Sequence, residues 1–286
     1  MLVILFRLLS HLPLSILHRI GALAGSIVYR CSGSYRRRLN AHLSRAKLDR
    51  HLSAAIEESG KNIFELPFIW CAAPNKVLAT ATVQGWSVVQ NAIDQGKGII
   101  FLTPHLGCFE IIAQVIASRI PLTALYRPPR QSALKPLIEG ARRRPNLSLA
   151  PANLRGVRVL LKTLKNGGAI GLLPDQVPQN GEGVWADFFG TPAYTMTLPA
   201  KLQLMTGAPI VVSYAERLPA GAGFEVRFAA FDGELTNDAQ QQARAINAAM
   251  EELIRHCPAQ YFWGYNRYKA PPGVSRPPSA ESESCD

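Results

Sequence analysis

Residues 98–110 of the 286-residue chain have the sequence GIIFLTPHLGCFE. The short apolar run over residues 98–103 is typical of a buried strand. Pro104 and Gly107 then favour a turn, and a helix is predicted over residues 110–118. A strand followed by a turn and a helix is the repeating unit of an α/β fold.

The same alternation continues along the chain. Further strands are predicted at 122–126, 147–150, 169–173, 209–214 and 224–229, and further helices at 50–73, 131–143, 157–165, 197–206 and 238–257. This order predicts an α/β fold with a largely parallel central sheet flanked by helices. We divide the chain into a membrane-associating helix (1–30), a folded domain (31–268) and a disordered tail (269–286), which is rich in Pro and Ser.

Residues 1–30 are apolar but contain Arg7, Arg19 and Arg30. The longest stretch without Lys or Arg is 8–18, which is shorter than the roughly 20 residues of a spanning helix. Three interpretations stay open: a helix that lies in the membrane interface, a marginal spanning helix that tolerates Arg19, and an amphipathic helix that packs on the protein's own core. The basic sequence at 35–38 indicates the cytoplasmic side.

The chain has 31 Lys and Arg residues against 20 Asp and Glu residues, a formal net charge of +11. Nine of the basic residues lie within residues 1–53, beside a single acid, Asp49. This excess predicts an anionic partner. Nucleic acid is disfavoured, because zinc-finger spacing and RNA-binding aromatic strands are absent from the sequence. The five cysteines form no C-x-x-C pair, so we expect neither a disulfide framework nor a metal site.

His105 and Glu110 lie where the predicted strand gives way to the helix, the usual place for a site in an open α/β sheet. Glu110, on the first helical turn, can reach the ring of His105 if that residue lies on the turn. A carboxylate on one ring nitrogen makes the other a general base for a hydroxyl. Two alternatives remain: a covalent acyl-enzyme at Cys108, and a capped turn with a structural histidine.

This H-x4-E sequence resembles the H-x4-D motif of the glycerolipid acyltransferases. The wider pattern is more similar to the bacterial lipid A late acyltransferase family, the lauroyl and myristoyl transferases. The segments that carry the resemblance are YRP at 126–128, GARRRPN at 140–146, LPDQ at 173–176, VWADFFG at 184–190 and YTMT at 194–197. The resemblance covers about residues 1–268.

The resemblance implies that residues 31–268 form a glycerolipid-acyltransferase-like domain. It implies transfer of an acyl chain from an acyl carrier protein thioester to a hydroxyl of a lipid A precursor, at the cytoplasmic face of the inner membrane and without a cofactor. His105 is then the base and Glu110 its partner. Arg142, Arg144 and Asp175 match substrate-binding positions, and the choice between the two arginines stays open.

The reaction develops an oxyanion on the thioester carbonyl. An arginine or the backbone N–H groups near Gly107 are expected to stabilise it. Two other functions stay open. One is acyl transfer to a lysophospholipid, an ornithine lipid or a phosphatidylinositol mannoside. The other is a non-catalytic membrane protein that binds lipid and tolerates loss of His105.

Overall fold

The computed structural model describes residues 2–127, 140 and 144–277. Its helices are α1 (Leu2–Leu9), α2 (Leu14–Cys31), α3 (Gly33–Arg45), α4 (Leu52–Phe64), α5 (Leu66–Cys71), α6 (Pro74–Leu78), α7 (Trp86–Asp94), α8 (Phe109–Ala117), α9 (Leu154–Lys165), α10 (Leu198–Thr206) and α11 (Ala239–His256). Its strands are β1 (Ala81–Gln84), β2 (Ile99–Leu102), β3 (Leu122–Tyr126), β4 (Leu147–Pro151), β5 (Ala169–Leu172), β6 (Gly183–Phe188), β7 (Thr191–Met196), β8 (Ile210–Arg217) and β9 (Phe224–Ala230).

Seven strands form the central sheet in the order β1-β9-β8-β2-β5-β3-β4. The neighbouring pairs are parallel except for β8 with β9. Both faces of the sheet are covered: Ile100 and Leu102 of β2 belong to one buried apolar cluster, and Ile99 and Phe101 to another. Burial on both faces explains why β2 is apolar throughout rather than alternating. The predicted α/β fold with a largely parallel sheet is confirmed.

Three local features differ from the sequence-based predictions. The helix predicted over 50–73 is two helices, α4 and α5, which meet at Glu65, and Pro67 lies in the first turn of α5 where proline is tolerated. The pair β1 and α7 was not predicted. Nor was the antiparallel hairpin β6–β7, whose turn residues Phe189 and Gly190 both have positive φ. Tertiary contacts stabilise this hairpin, among them a hydrogen bond from Asn247 of α11 to the Asp187 carbonyl.

The apolar N-terminus forms two helices, and α2 packs against α4. Gly21 and Gly25 of α2 face Gly60 of α4 so closely that a Cβ added at Gly60 would lie 1.9 Å from the Gly21 oxygen. Glycine at these positions therefore allows the two backbones to touch. Among residues 2–127, 140 and 144–277, no helix combines the length and the apolar character that crossing a membrane requires.

Two predicted segments lie partly outside the described residues. Of the helix predicted over 131–143, only residue 140 is described, so Arg142 falls outside. Residues 278–286 of the predicted tail also fall outside. The preceding part contacts the hairpin, because the carbonyls of Gly273 and Ser275 accept hydrogen bonds from Asn180 and Trp185.

Candidate active site

The candidate site lies where β2 and β5 end. These two strands are adjacent and parallel, with Leu102 opposite Leu172. The loops that follow them therefore leave the same edge of the sheet. His105 lies on the first loop, and Asp175 lies on the second. Carboxyl ends of neighbouring parallel strands are the usual place for a site in such a sheet.

Asp175 holds His105 by both of its oxygens. The Asp175 Oδ1 atom lies 2.8 Å from the His105 Nδ1 atom, and Oδ2 accepts the His105 backbone N–H at 2.8 Å. The Asp175 side chain is 2% exposed and that of His105 is 15% exposed. The carboxylate is thus buried beneath an imidazole that reaches the surface of the loop.

Charge and hydrogen bonding at this pair fix the state of the ring. Burial by itself raises the pKa of the Asp175 carboxyl, but the neighbouring imidazole and the two hydrogen bonds from His105 bring this pKa below its ordinary value. Asp175 is therefore ionised at neutral pH and can only accept. The neutral His105 ring then carries its proton on Nδ1 and a lone pair on Nε2, the arrangement that a general base needs.

The other two contacts of the ring come from Gln176 and Phe109. The Gln176 amide nitrogen lies 3.0 Å from the His105 Nε2 atom. The Phe109 ring meets the imidazole edge to face, with the ring centres 4.7 Å apart. Asp175 and Phe109 together fix the plane of the ring. Gln176 belongs to the LPDQ segment at 173–176, but the sequence alone did not indicate a role for it.

The turn after His105 requires a glycine at 107. Gly107 has a φ of +59°, and an added Cβ would lie 1.8 Å from the Ala215 carbonyl oxygen. Its N–H donates to the Gln260 carbonyl, and the Cys108 N–H donates to that of Ala215. The expectation that backbone N–H groups near Gly107 stabilise an oxyanion is therefore wrong for these two, because both are already bound to carbonyls.

Residues distant in sequence hold this turn in place. Asn62 of α4 donates to the Gly107 carbonyl at 2.8 Å, and the Phe262 N–H donates to the His105 carbonyl at 3.0 Å. The Gln260 side chain pairs with both backbone groups of Arg217. Sequence reasoning missed these residues, because none lies in a motif or at a spacing that indicates the contact.

Glu110, the predicted partner of His105, has a different hydrogen-bond partner in the structure. Its carboxylate accepts a hydrogen bond from the Trp70 indole at 3.0 Å. The two nitrogens of the His105 ring contact Asp175 and Gln176 instead. Asp175 was expected to bind substrate, and in the structure it contacts His105. The reason is the strand order, which brings the loop after β5 directly beside the loop after β2.

Of the two candidate arginines, only Arg144 is described. It is half-buried just before β4, and its Nε and Nη2 atoms are buried without a hydrogen-bond partner. Burial lowers its pKa, although a guanidinium stays charged. A positive group with free donors is suited to bind an anionic oxygen.

Cys108, the alternative nucleophile, is 1% exposed. Burial raises the pKa of its thiol well above the ordinary value, and the nearby Glu65 raises it further. The reactive form of cysteine is the thiolate. A covalent acyl-enzyme at Cys108 is therefore disfavoured, and the thiol is buried beside the Glu65 carboxylate at the start of α8.

Comparison with known proteins finds a single family along almost the whole chain. The profile of the bacterial lipid A biosynthesis acyltransferase family matches residues 1–270. The chain is 23% identical to the lipid A biosynthesis lauroyltransferase of Escherichia coli (strain K12), over 93% of this chain and 89% of that protein. It is 24% identical to the palmitoleoyltransferase of the same strain, over 89% and 84%, and 27% identical to the myristoyltransferase, over 66% and 59%. The chain belongs to the bacterial lipid A biosynthesis acyltransferase family.

Proposed function

We propose that this protein transfers a fatty acyl chain from an acyl carrier protein thioester to a hydroxyl of a lipid A precursor, with His105 as the general base. The observation that carries this proposal is the His105–Asp175 pair at the end of β2 and β5. It orients an imidazole with its proton-accepting nitrogen away from the buried carboxylate. Such a group activates a hydroxyl nucleophile.

The chemical step follows from that geometry. The Nε2 atom of His105 takes the proton of the acceptor hydroxyl while the hydroxyl oxygen attacks the thioester carbonyl carbon. The tetrahedral intermediate then expels the thiolate, and the imidazolium returns the proton to sulfur. Asp175 stabilises the imidazolium and stays ionised throughout. The products are an ester and a free thiol, so every atom and charge is accounted for.

Glu110 remains in the proposal as a second acidic residue of the site. It lies on the first turn of α8, next to Phe109, which contacts the base. Glu110→Gln tests it, because the amide oxygen can still accept from Trp70 while the negative charge is removed. A fall in kcat with unchanged stability assigns the charge to the reaction, and an unchanged kcat removes Glu110 from it. Glu57→Gln, a half-exposed acid, is the control.

We assign acceptor binding to Arg142 and Arg144. The acceptor carries phosphates, and the free Nε and Nη2 donors of Arg144 suit an anionic oxygen. Arg144→Met is expected to raise KM for the acceptor more than it lowers kcat. The donor protein is acidic, and the net charge of +11 favours its approach.

The face of α1 and α2 opposite the protein core supports attachment to a membrane. Its exposed apolar side chains include Ile4, Leu5, Leu8, Ile16, Ile20, Leu23, Ile27 and Val28. Arg7, Arg19 and Arg30 are exposed among them. Apolar side chains that enter the acyl region beside arginines that reach phosphates characterise a helix in the interface. We therefore place this face on the cytoplasmic leaflet of the inner membrane.

Vesicle flotation tests this attachment. The double variant Leu8→Glu, Leu23→Glu is expected to lose most binding to vesicles of an anionic phospholipid at moderate salt. The control Leu204→Glu, Met205→Glu changes two exposed apolar residues of α10 and is expected to bind normally. Equal binding of both double variants contradicts the assigned face.

The activity itself is tested in a Gram-negative strain without its own late acyltransferases. We expect the mass spectrum of its lipid A to gain one acyl chain when this protein is expressed, and no gain with His105→Ala at equal abundance. A gain with His105→Ala as well removes the base from the mechanism. With no gain from either protein, a new acylated species in the total lipid extract identifies another lipid acceptor, and its absence indicates a protein that only binds lipid.

A further inference from the structure

The proposed proton-accepting nitrogen of His105, Nε2, already has a hydrogen-bond partner in the structure. Because the ionised Asp175 carboxylate can only accept, the His105 Nδ1 atom must donate to it, and the Nε2 atom carries a lone pair. The group that faces this lone pair at 3.0 Å is the side-chain amide of Gln176. Its NH2 group is the only end of the amide that can donate, so the orientation of Gln176 is fixed by chemistry.

The chain holds the backbone of Gln176 on both sides. Asp175 is anchored by the backbone N–H of His105, and the Val177 N–H donates to the Tyr265 hydroxyl at 3.0 Å. Val177 is buried, whereas the side chain of Gln176 lies at the half-buried surface of the loop. Rotation of this side chain alone can therefore uncover Nε2 without moving the loop.

The imidazole does not have the same freedom. Its Nδ1 atom is bound to Asp175, and its face meets Phe109. Rotation of the ring breaks the hydrogen bond to a buried carboxylate, which costs more than releasing a neutral hydrogen bond at the surface. The element that moves when an acceptor hydroxyl arrives is thus Gln176 and not His105.

From this geometry we propose that Gln176 is a displaceable cap on the general base. In the absence of an acceptor, its amide occupies the Nε2 lone pair and competes with water for it. An acceptor hydroxyl that binds next to His105 displaces the amide and donates its own proton to Nε2. This proposal deepens the proposed function: it adds a residue that favours acyl transfer to the lipid hydroxyl over hydrolysis of the thioester.

The side reaction that the cap limits is hydrolysis of the acyl thioester. Water gives its proton to the Nε2 atom of His105 while its oxygen attacks the thioester carbonyl carbon. The carbon–sulfur bond breaks, and the imidazolium returns the proton to the thiolate. The products are a free fatty acid and a thiol. An uncovered Nε2 atom promotes this reaction whenever the acyl donor is bound without an acceptor.

The cap is tested first without any substrate. Diethyl pyrocarbonate acylates an unprotonated imidazole nitrogen, and peptide mass spectrometry measures the rate at His105 alone. We expect Gln176→Ala to react about 2- to 12-fold faster than the unmodified protein, the range that loss of one neutral hydrogen bond supports. Gln179→Ala is the matched control, because that side chain is exposed on the same loop, and its rate is expected to stay unchanged.

The second measurement uses the acyl carrier protein thioester. With no acceptor present, Gln176→Ala is expected to release free fatty acid faster than the unmodified protein and Gln179→Ala. Gln176→Met, which keeps the length of the side chain but has no donor, replaces Gln176→Ala if the latter unfolds. Circular dichroism and thermal unfolding check each variant.

The outcomes separate this proposal from the proposed function. Faster modification of His105 with faster thioester hydrolysis supports the cap. Faster modification without acyl transfer by any form of the protein supports the cap and contradicts the proposed function. An unchanged rate of His105 modification in a folded Gln176 variant overturns the cap, whatever the transfer activity is.

Discussion

The residues that the structure describes include two pairs of a histidine and a buried carboxylate, and we propose a catalytic role for only one of them. His105 lies 2.8 Å from Asp175, and His18 lies 3.2 Å from Glu65. The carboxylates are 2% and 1% exposed, so burial does not distinguish them. The difference is a directly bound cation: Arg217 donates to both oxygens of Glu65, each at 2.6 Å, whereas Arg267 acts on Asp175 through its charge alone. A residue pair alone therefore does not define a site.

The charge on Glu65 is balanced within the protein core. Burial by itself raises the pKa of Glu65, but Arg217 brings it below its ordinary value. Arg217 also binds Glu58 of α4. This cluster joins α2, the junction of α4 and α5, and β8. Asp175, by contrast, receives hydrogen bonds from the ring and backbone of His105, so its charge acts on the proposed general base.

The largest effect is expected for Asp175→Asn, which tests the catalytic member of the comparison. The backbone N–H of His105 needs an acceptor, so the amide oxygen takes Oδ2's place and the amide NH2 faces Nδ1. That orientation leaves the lone pair on Nδ1 and the proton on Nε2. Activity is expected to fall on the order of 10³- to 10⁴-fold, as in other enzymes whose histidine is set in the wrong tautomer.

The measurement is kcat for transfer from the acyl carrier protein thioester, with thermal unfolding as the check on folding. Asp187→Asn is the matched control, because Asp187 is an exposed acid of the hairpin, and it is expected to keep full activity. A loss of less than 10-fold in Asp175→Asn contradicts the assignment of His105 as a base oriented by this carboxylate.

The next effect concerns the structural pair. Arg217→Met removes the cation and leaves Glu65 buried with a negative charge that His18 only partly compensates. Breaking a buried ion pair on one side costs about 3–5 kcal/mol. Denaturant unfolding is expected to show this loss. Arg227→Met on the neighbouring strand, where the arginine is 47% exposed, is expected to cost less than about 1 kcal/mol.

A double variant sharpens the result. Arg217→Met combined with Glu65→Leu replaces the pair by apolar groups, so no buried charge is left without its cation, and stability is expected to recover part of the loss. If the double variant is less stable than Arg217→Met alone, the cost does not come from an uncompensated charge on Glu65.

Sequence reasoning located more of the proposed catalytic pair than of the structural pair. The sequence predicts the strand–turn–helix unit at 98–118 and the position of His105 in it, because an apolar run and a Pro–Gly turn are local signals. The contact between His105 and Asp175 could not be predicted from the sequence. It depends on β5 inserting beside β2 while β3 and β4 lie farther out, and chain order does not determine strand order.

The structural pair gave no sequence signal at all. His18 and Glu65 are 47 residues apart and belong to segments that were interpreted as a membrane helix and as one continuous helix. The close approach of α2 to α4 depends on Gly21, Gly25 and Gly60. Isolated glycines in helical segments indicate such contacts only once the partner helix is known.

A third histidine extends the comparison, because it has a carbonyl where the others have a carboxylate. His42 is buried and donates from Nδ1 to the Trp263 carbonyl at 2.8 Å. Burial lowers its pKa to about 4, against 6.5 in the unfolded chain, although the bond to Trp263 raises it. The unfolded chain then binds one more proton than the native protein between these two pH values. The contribution of His42 to the free energy of unfolding is therefore fully present above pH 6.5 and is lost as the pH falls toward 4.

Over that window the loss from His42 alone is about 3 kcal/mol. His42→Asn is expected to be less stable at pH 7 but to show a shallower fall in unfolding free energy between pH 6.5 and 4. His256→Asn, whose side chain is 54% exposed, is expected to keep the slope of the unmodified protein. The slopes come from denaturant unfolding at several pH values. Equal slopes for all three proteins contradict a neutral buried His42.

The smallest expected effect is that of His18→Leu. Glu65 keeps both hydrogen bonds from Arg217 in this variant, so its charge stays balanced, and only the bond from His18 is lost. A hydrogen bond to a charged group is worth about 1.5–3 kcal/mol, and kcat is expected to change less than about 3-fold. His105→Leu is expected to cost a similar amount of stability, because Asp175 likewise loses one hydrogen bond from an imidazole, but to lose its activity. Glu65 lies close to Cys108 at the start of α8. A large fall in kcat for a folded His18→Leu protein would therefore mean that the two pairs are coupled through that turn. The division into a structural and a catalytic pair would then not hold.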